Sequence, residues 1–114
     1  MKEQKEVFIT GIGAFLPNKP IDNDQMEEYL GLINGKKSAV KDRILNQNGI
    51  KTRYYALDKN QQTTHSNAEL AGNAIKLALE KSGTNAKDVE LLSTGTTQGA
   101  LPVPGFASMV HAFT

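Results

Sequence analysis

Few side chains in this 114-residue chain can do covalent or metal chemistry. It contains no cysteine, which excludes disulfides, thiolate metal sites and a thiol nucleophile within this polypeptide. Its two histidines, His65 and His111, stand far apart and lack ligand-like spacing. What remains is hydroxylic and basic. Gly95-Thr96-Thr97-Gln98-Gly99 places two threonines between glycines. Such residues usually build a turn, but at the carboxyl end of a parallel strand they also stand where sites collect. A polar, basic stretch from Gly31 to Asn60 carries Arg43, Lys51 and Arg53. A solvated loop is its plain reading, yet so long an excursion is more often functional or interfacial than idle. Gly11 and Gly13 form a G-x-G. A dinucleotide fingerprint needs a third glycine and a helix amino terminus, whereas here Pro17 follows, so these glycines read as sites of close backbone packing.

The elements that would position these residues follow from patterning. Val7 to Leu16 (VFITGIGAFL) is an apolar run ended by Pro17 and reads as a buried strand bending at its glycines. Asp24 and Glu27 have capping-box spacing, and Met26, Tyr29 and Leu30 form one apolar face, predicting a short helix. A helical turn is expected from Val40 to Leu45, with a turn at Asn48-Gly49. Ser66 to Ser82 is the clearest helix. Ser66 and Glu69 form an S-x-x-E box, Gly83 supplies a left-handed stop, and Glu69, Asn73, Lys76 and Glu80 make one polar stripe. Asp88 to Gly95 reads as a second strand, paired parallel to the first through a crossover, which places the fold in the α/β class. Phe106 to Thr114 has a helical apolar face of Phe106, Met109, Val110 and Phe113.

Bulk properties narrow the partners. The chain is long enough for one modest core. Thirteen basic residues against twelve acidic ones leave a net charge of +1, so no global field recommends nucleic acid or an acidic membrane. The charged start MKEQKE has no targeting character, and no stretch approaches membrane-span length. A cytoplasmic protein is the expectation.

The order of motifs carries more. Ile9-Thr10-Gly11-Ile12-Gly13 with Pro17, Asn23 to Glu27, Gly49-Ile50-Lys51-Thr52-Arg53-Tyr54-Tyr55-Ala56, Ser66 to Ala74, and Thr94 to Thr97 with Pro104 together resemble the amino-terminal part of β-ketoacyl-ACP synthase III, a thiolase-like condensing enzyme. The INGKKS and KTRYYALDK wording looks more like the aryl-polyene or dialkylresorcinol branch. The resemblance implies a partial thiolase-like fold, the start of the first half of a five-layer αβαβα architecture, with residues 1–114 an incomplete amino-terminal half. It implies a homodimeric parent that condenses acyl-CoA or acyl-ACP with malonyl-ACP and uses no cofactor. A cysteine takes the acyl group, and a histidine and an asparagine assist decarboxylative condensation. No catalytic residue of that set falls within this chain, so the fragment is expected to be inactive.

Binding positions carry over by alignment on Gly49-Ile50. The family's adenine-sandwiching tryptophan and arginine become Arg43 and Gln47, beside Lys51 and Arg53. Losing the aromatic platform favours an ACP-borne donor, although a guanidinium can still stack on a base and pair with phosphate. Thr97 matches a threonine lining the acyl pocket. Val103 matches a position, often phenylalanine, that reaches into the partner subunit's pocket, and its smaller side chain leaves room for a longer acyl chain. Two other readings stay open: a non-catalytic small α/β binding module, and a fragment of another thiolase-fold enzyme such as hydroxymethylglutaryl-CoA synthase.

Overall fold

The computed structural model describes residues 5–114; the charged start Met1–Gln4 lies outside the described residues. Two compact units result, Leu16–Ser66 and a unit of residues 5–15 with Asn67–Thr114.

In the unit Leu16–Ser66, strand β1 (Ile21–Asp22) pairs antiparallel with β2 (Thr52–Arg53), Ile21 opposite Arg53 and Asp22 opposite Thr52. Two residues per strand make a ladder too short to stand alone. Side chains complete it: Ile21 is only 4% exposed, and the Arg53 guanidinium donates to Asn23 Oδ1 and, at 3.5 Å, to the Ile21 carbonyl. Helix α1 (Met26–Leu30) follows, but the expected Asp24–Glu27 capping box does not form. Asp22 Oδ1 instead accepts from the amides of Asp24 (3.0 Å) and Gln25 (2.9 Å), an Asx turn that satisfies the incoming donors earlier in the chain. Helix α2 (Lys41–Asn48) runs beyond the single turn expected from Val40 to Leu45. The turn at Asn48-Gly49 is present. Gly49 sits at φ +68 with its amide on the Leu45 carbonyl, and Asn48 Oδ1 accepts from the Ile50 amide, a left-handed stop that glycine adopts without steric cost.

The second unit is organised by α3 (Asn67–Ser82), which starts one residue after Ser66 and stops before Gly83 at φ +66. Helix α4 (Phe106–His111) packs on it and is shorter than the helix expected to reach Thr114. Val110 of α4 is fully buried, and a Cβ added at Gly72 of α3 would lie 2.6 Å from Phe113 Cβ.

Two strand expectations are corrected here. Neither Val7–Leu16 nor Asp88–Gly95 belongs to a sheet among the described residues, and the parallel crossover pairing between them is not formed. Ala86–Asp88 is a 3-10 turn in which Asn85 Oδ1 accepts from the Lys87 amide at 3.0 Å. The physical reason is that a strand is defined by its ladder. Residues 5–15 lie against a helix: a Cβ at Gly13 would meet the Ala74 carbonyl oxygen and the Ala78 nitrogen, and one at Gly11 would stand 2.7 Å from the Ala78 carbonyl oxygen. The glycines therefore serve close backbone packing, as their context suggested. From Thr10 to Leu16 exposure alternates, with Gly11, Gly13 and Phe15 turned inward and Ile12 and Leu16 outward. Apolar side chains that a sheet would cover stay in solvent, among them Val7 at 92% and Leu91 at 82% exposure. The chain is thus a mixed piece of helices and a minimal ribbon, α/β in that coarse sense.

Candidate functional site

Within Leu16–Ser66, α2 presents Arg43 and Gln47 four residues apart on one exposed face, and Lys51 is exposed just beyond Gly49. Arg53 does not share their freedom, because it is half-buried and committed to Asn23 and Ile21. The other face of α2 borders an apolar cleft of about 280 Å³, lined by residues that include Met26, Leu30, Ile33, Ile44 and Leu45. None of Arg43, Gln47, Lys51 or Arg53 lines it.

At the edge of that cleft, the Glu27 carboxylate accepts from the Ser38 amide at 2.9 Å and pairs with Lys41 Nζ at 3.2 Å. The Ser38 hydrogen bond above all, helped by Lys41 and Lys37 and opposed by partial desolvation, holds Glu27 below the ordinary carboxylate range. Sequence reasoning gave Glu27 only a capping role; the lysine fourteen residues on carried no local signal. Nearby, Lys59 Nζ lies 2.8 Å from Glu28 Oε2 and 5.9 Å from the Tyr29 ring centroid. Its pKa is raised mainly by the hydrogen bond to Glu28.

In the unit built on α3, Thr97 and its neighbour Thr96 take different parts. Thr96 Oγ1 donates to the Gln98 carbonyl at 3.1 Å, and Asn67 Nδ2, at the start of α3, donates to Thr96 Oγ1 at 2.9 Å and to Gln98 O at 3.3 Å. Thr96 thereby builds the turn and Thr97 is exposed on it. Val103 is 78% exposed in the segment before α4, which reaches Pro104 through a cis peptide bond. The sequence reading missed Asn67. Its signal was an amide side chain at a helix start, a type that bonds nearby backbone readily. His111 borders a separate cleft of about 470 Å³ with Ile75, Leu79, Val89 and Leu92; His65, in the other unit, lies 3.0 Å from Thr64 Oγ1 through Nδ1.

These observations define an α/β piece with Arg43 and Gln47 on an exposed helix face of one unit and a threonine turn with an exposed valine loop on the other. No protein-family model matches the chain. Similarity to curated proteins is more specific. The chain is 32% identical over 103 residues to beta-ketoacyl-acyl-carrier-protein synthase III of Caulobacter vibrioides, covering 90% of this chain and 28% of that protein. Proteins of the same name from Clostridium beijerinckii (29% over 106 residues) and Staphylococcus epidermidis (32% over 105 residues) match 93% and 92% of this chain and 29% and 30% of their own lengths. The chain therefore spans less than a third of the relatives it matches. No helix among the described residues is long and apolar enough to cross a membrane.

Proposed function

We propose that this chain is the amino-terminal part of a condensing enzyme of the β-ketoacyl-ACP synthase III type, inactive by itself. The observation that carries the proposal is the identity of about 30% along nine-tenths of the chain to proteins of that name. The uncovered apolar residues of Val7–Leu16 and Val89–Leu92 support it, since a thiolase-like sheet would bury them.

In the parent, a cysteine thiolate attacks the acyl thioester carbon and expels the CoA or ACP thiolate. Malonyl-ACP then loses carbon dioxide, the resulting carbanion attacks the acyl-enzyme carbonyl, a carbon–carbon bond forms and the cysteine thiolate leaves. This chain contributes recognition. Arg43, Gln47 and Lys51 face the acyl donor, Thr97 borders the acyl pocket, and Val103 reaches across a homodimer. Arg53, which the family alignment also nominates, acts from the ribbon by holding Asn23. The expected setting is the cytoplasm. The relatives carry the plain synthase name and lend the aryl-polyene branch no support, so the proposal stops short of it.

Two experiments test the reading. Incubating the 114-residue chain with radiolabelled acyl-CoA should leave no covalent label, and a stable acyl-enzyme would contradict it. Reading the gene past codon 114 should reveal an A-x-x-x-A-C strand-to-helix turn, then histidine and asparagine motifs; a stop codon in their place defeats the proposal.

A further inference from the structure

We infer that Glu27 is a positioning residue for acyl-donor recognition, acting through α2; the inference rests on the donor role proposed for Arg43 and Gln47. Three observations combine. First, α2 has eight residues, and its amino-terminal cap residue, Val40, offers no side-chain hydrogen bond, so little in the helix itself fixes its start. Second, the carboxylate of Glu27, on α1, holds Ser38 just ahead of α2 and Lys41, the first residue of α2. Both charged side chains are largely covered, 14% exposed for Glu27 and 16% for Lys41. Third, Lys41, Ile44 and Leu45 line the cleft, while Arg43 and Gln47 follow Lys41 by two and six positions. At about 100° per residue they lie roughly 200° and 240° around the helix. One side of α2 is tethered and the opposite side carries the donor residues.

Among the described residues, few charged groups surround the carboxylate. Lys41 of α2 and Lys37 of the connecting segment face it, and its neighbour on α1, Glu28, is engaged with Lys59. Neutralising Glu27 leaves Arg43 and Gln47 chemically unchanged but lets the start of α2 fray. The cost of ordering both side chains then falls on ligand binding.

The experiment uses the 15N-labelled 114-residue chain, with coenzyme A as the probe. In the wild type the Ser38 amide resonance should titrate with a midpoint below the ordinary 4.5 of a glutamate. In Glu27→Gln that midpoint should vanish and α2 amides should exchange roughly tenfold faster, the equivalent of one charge-assisted hydrogen bond. Coenzyme A should shift the Arg43 and Gln47 resonances, with affinity roughly three- to tenfold weaker in Glu27→Gln and Lys41→Met and restored by Lys41→Arg. A Ser38 amide that ignores pH overturns the tether. Wild-type affinity in Glu27→Gln, with the Ser38 midpoint lost as expected, overturns the positioning role. Absence of any shift in the wild type with coenzyme A and, titrated in parallel, with phosphopantetheine-loaded acyl-carrier protein refutes the donor reading and the positioning role with it, while the pH arm still judges the tether alone. If Glu27→Gln unfolds its unit, Lys41→Met decides, because it leaves the Ser38 bond in place.

Discussion

Replacing Gly13 by alanine should destabilise the unit that contains α3 far more than any surface glycine replacement. The new Cβ would fall against the Ala74 carbonyl oxygen, and against the nitrogen and, at 3.1 Å, the Cα of Ala78. All three are backbone atoms of a hydrogen-bonded helix, so no flexible side-chain end can swing away. Overpacking of this kind costs about 1–3 kcal/mol, and the unyielding partners place Gly13→Ala near the top of that range. At Gly11 the added atom would be 2.7 Å from the Ala78 carbonyl oxygen and 2.9 Å from Ser82 Cβ, in the last turn of α3, where fraying relieves part of the clash; about 1–2 kcal/mol is expected. Gly95 is the control, with nothing within 4 Å and no positive φ; Gly95→Ala should stay within about 0.5 kcal/mol of wild type. All three substitutions narrow the unfolded ensemble alike, so differences between them isolate the folded-state contact. Urea unfolding followed by circular dichroism gives the reading. With a slope of about 2 kcal/mol per molar, the midpoint for Gly13→Ala should fall by roughly 1 M or more. Equal midpoints for Gly13→Ala and Gly95→Ala would show that residues 5–15 do not dock on α3 as described.

Further expectations concern charge, selectivity and association. Glu27 is depressed in the folded state, so its contribution to stability is fully present above its unfolded pKa and is lost as pH falls through the folded value. Unfolding midpoints should therefore drop below about pH 4.5 more steeply for wild type than for Glu27→Gln, and parallel curves would refute this. If the proposed parent enzyme places Val103 at its acyl pocket, Val103→Phe there should shorten the preferred acyl chain, as read from product lengths; unchanged selectivity would refute that placement. The 114-residue chain should self-associate through Val7, Phe8, Ile9 and Leu91, all largely exposed. Light scattering checks this, and a clean monomer at high concentration counts against it.

What could be read from the sequence was what depends on neighbours along the chain. The Gly83 stop of α3 and the Asn48-Gly49 turn after α2 rest on left-handed glycines at the helix ends. The two strands failed because pairing is a relation to distant segments, and an apolar run alone does not supply the second backbone. Glu27 was misread for a related reason. An acidic residue three after Asp24 fits a capping box, but Asp22 accepts from the Asp24 amide that such a box would give to Glu27, and the Glu27 carboxylate holds Ser38 and Lys41 instead. Among the nominated residues, Arg43, Gln47, Lys51, Thr97 and Val103 are exposed. The ribbon's use of Arg53 was hidden, since Asn23 lies thirty residues away.

The docking of Gly11 and Gly13 on α3 also works as a ruler. Two residues of extended chain advance about 6.6 Å, and four residues of α-helix advance about 6.0 Å. Gly13 lies over Ala74 and Ala78, and Gly11 over Ala78 and Ser82, so the segment runs opposite to the helix with nearly matched steps. A slip of two positions would bring Ile9 or Phe15 to a place that admits no side chain at all. The sequence position of this segment is therefore set by two absent side chains, and its alignment on α3 can be wrong only by undocking, never by sliding.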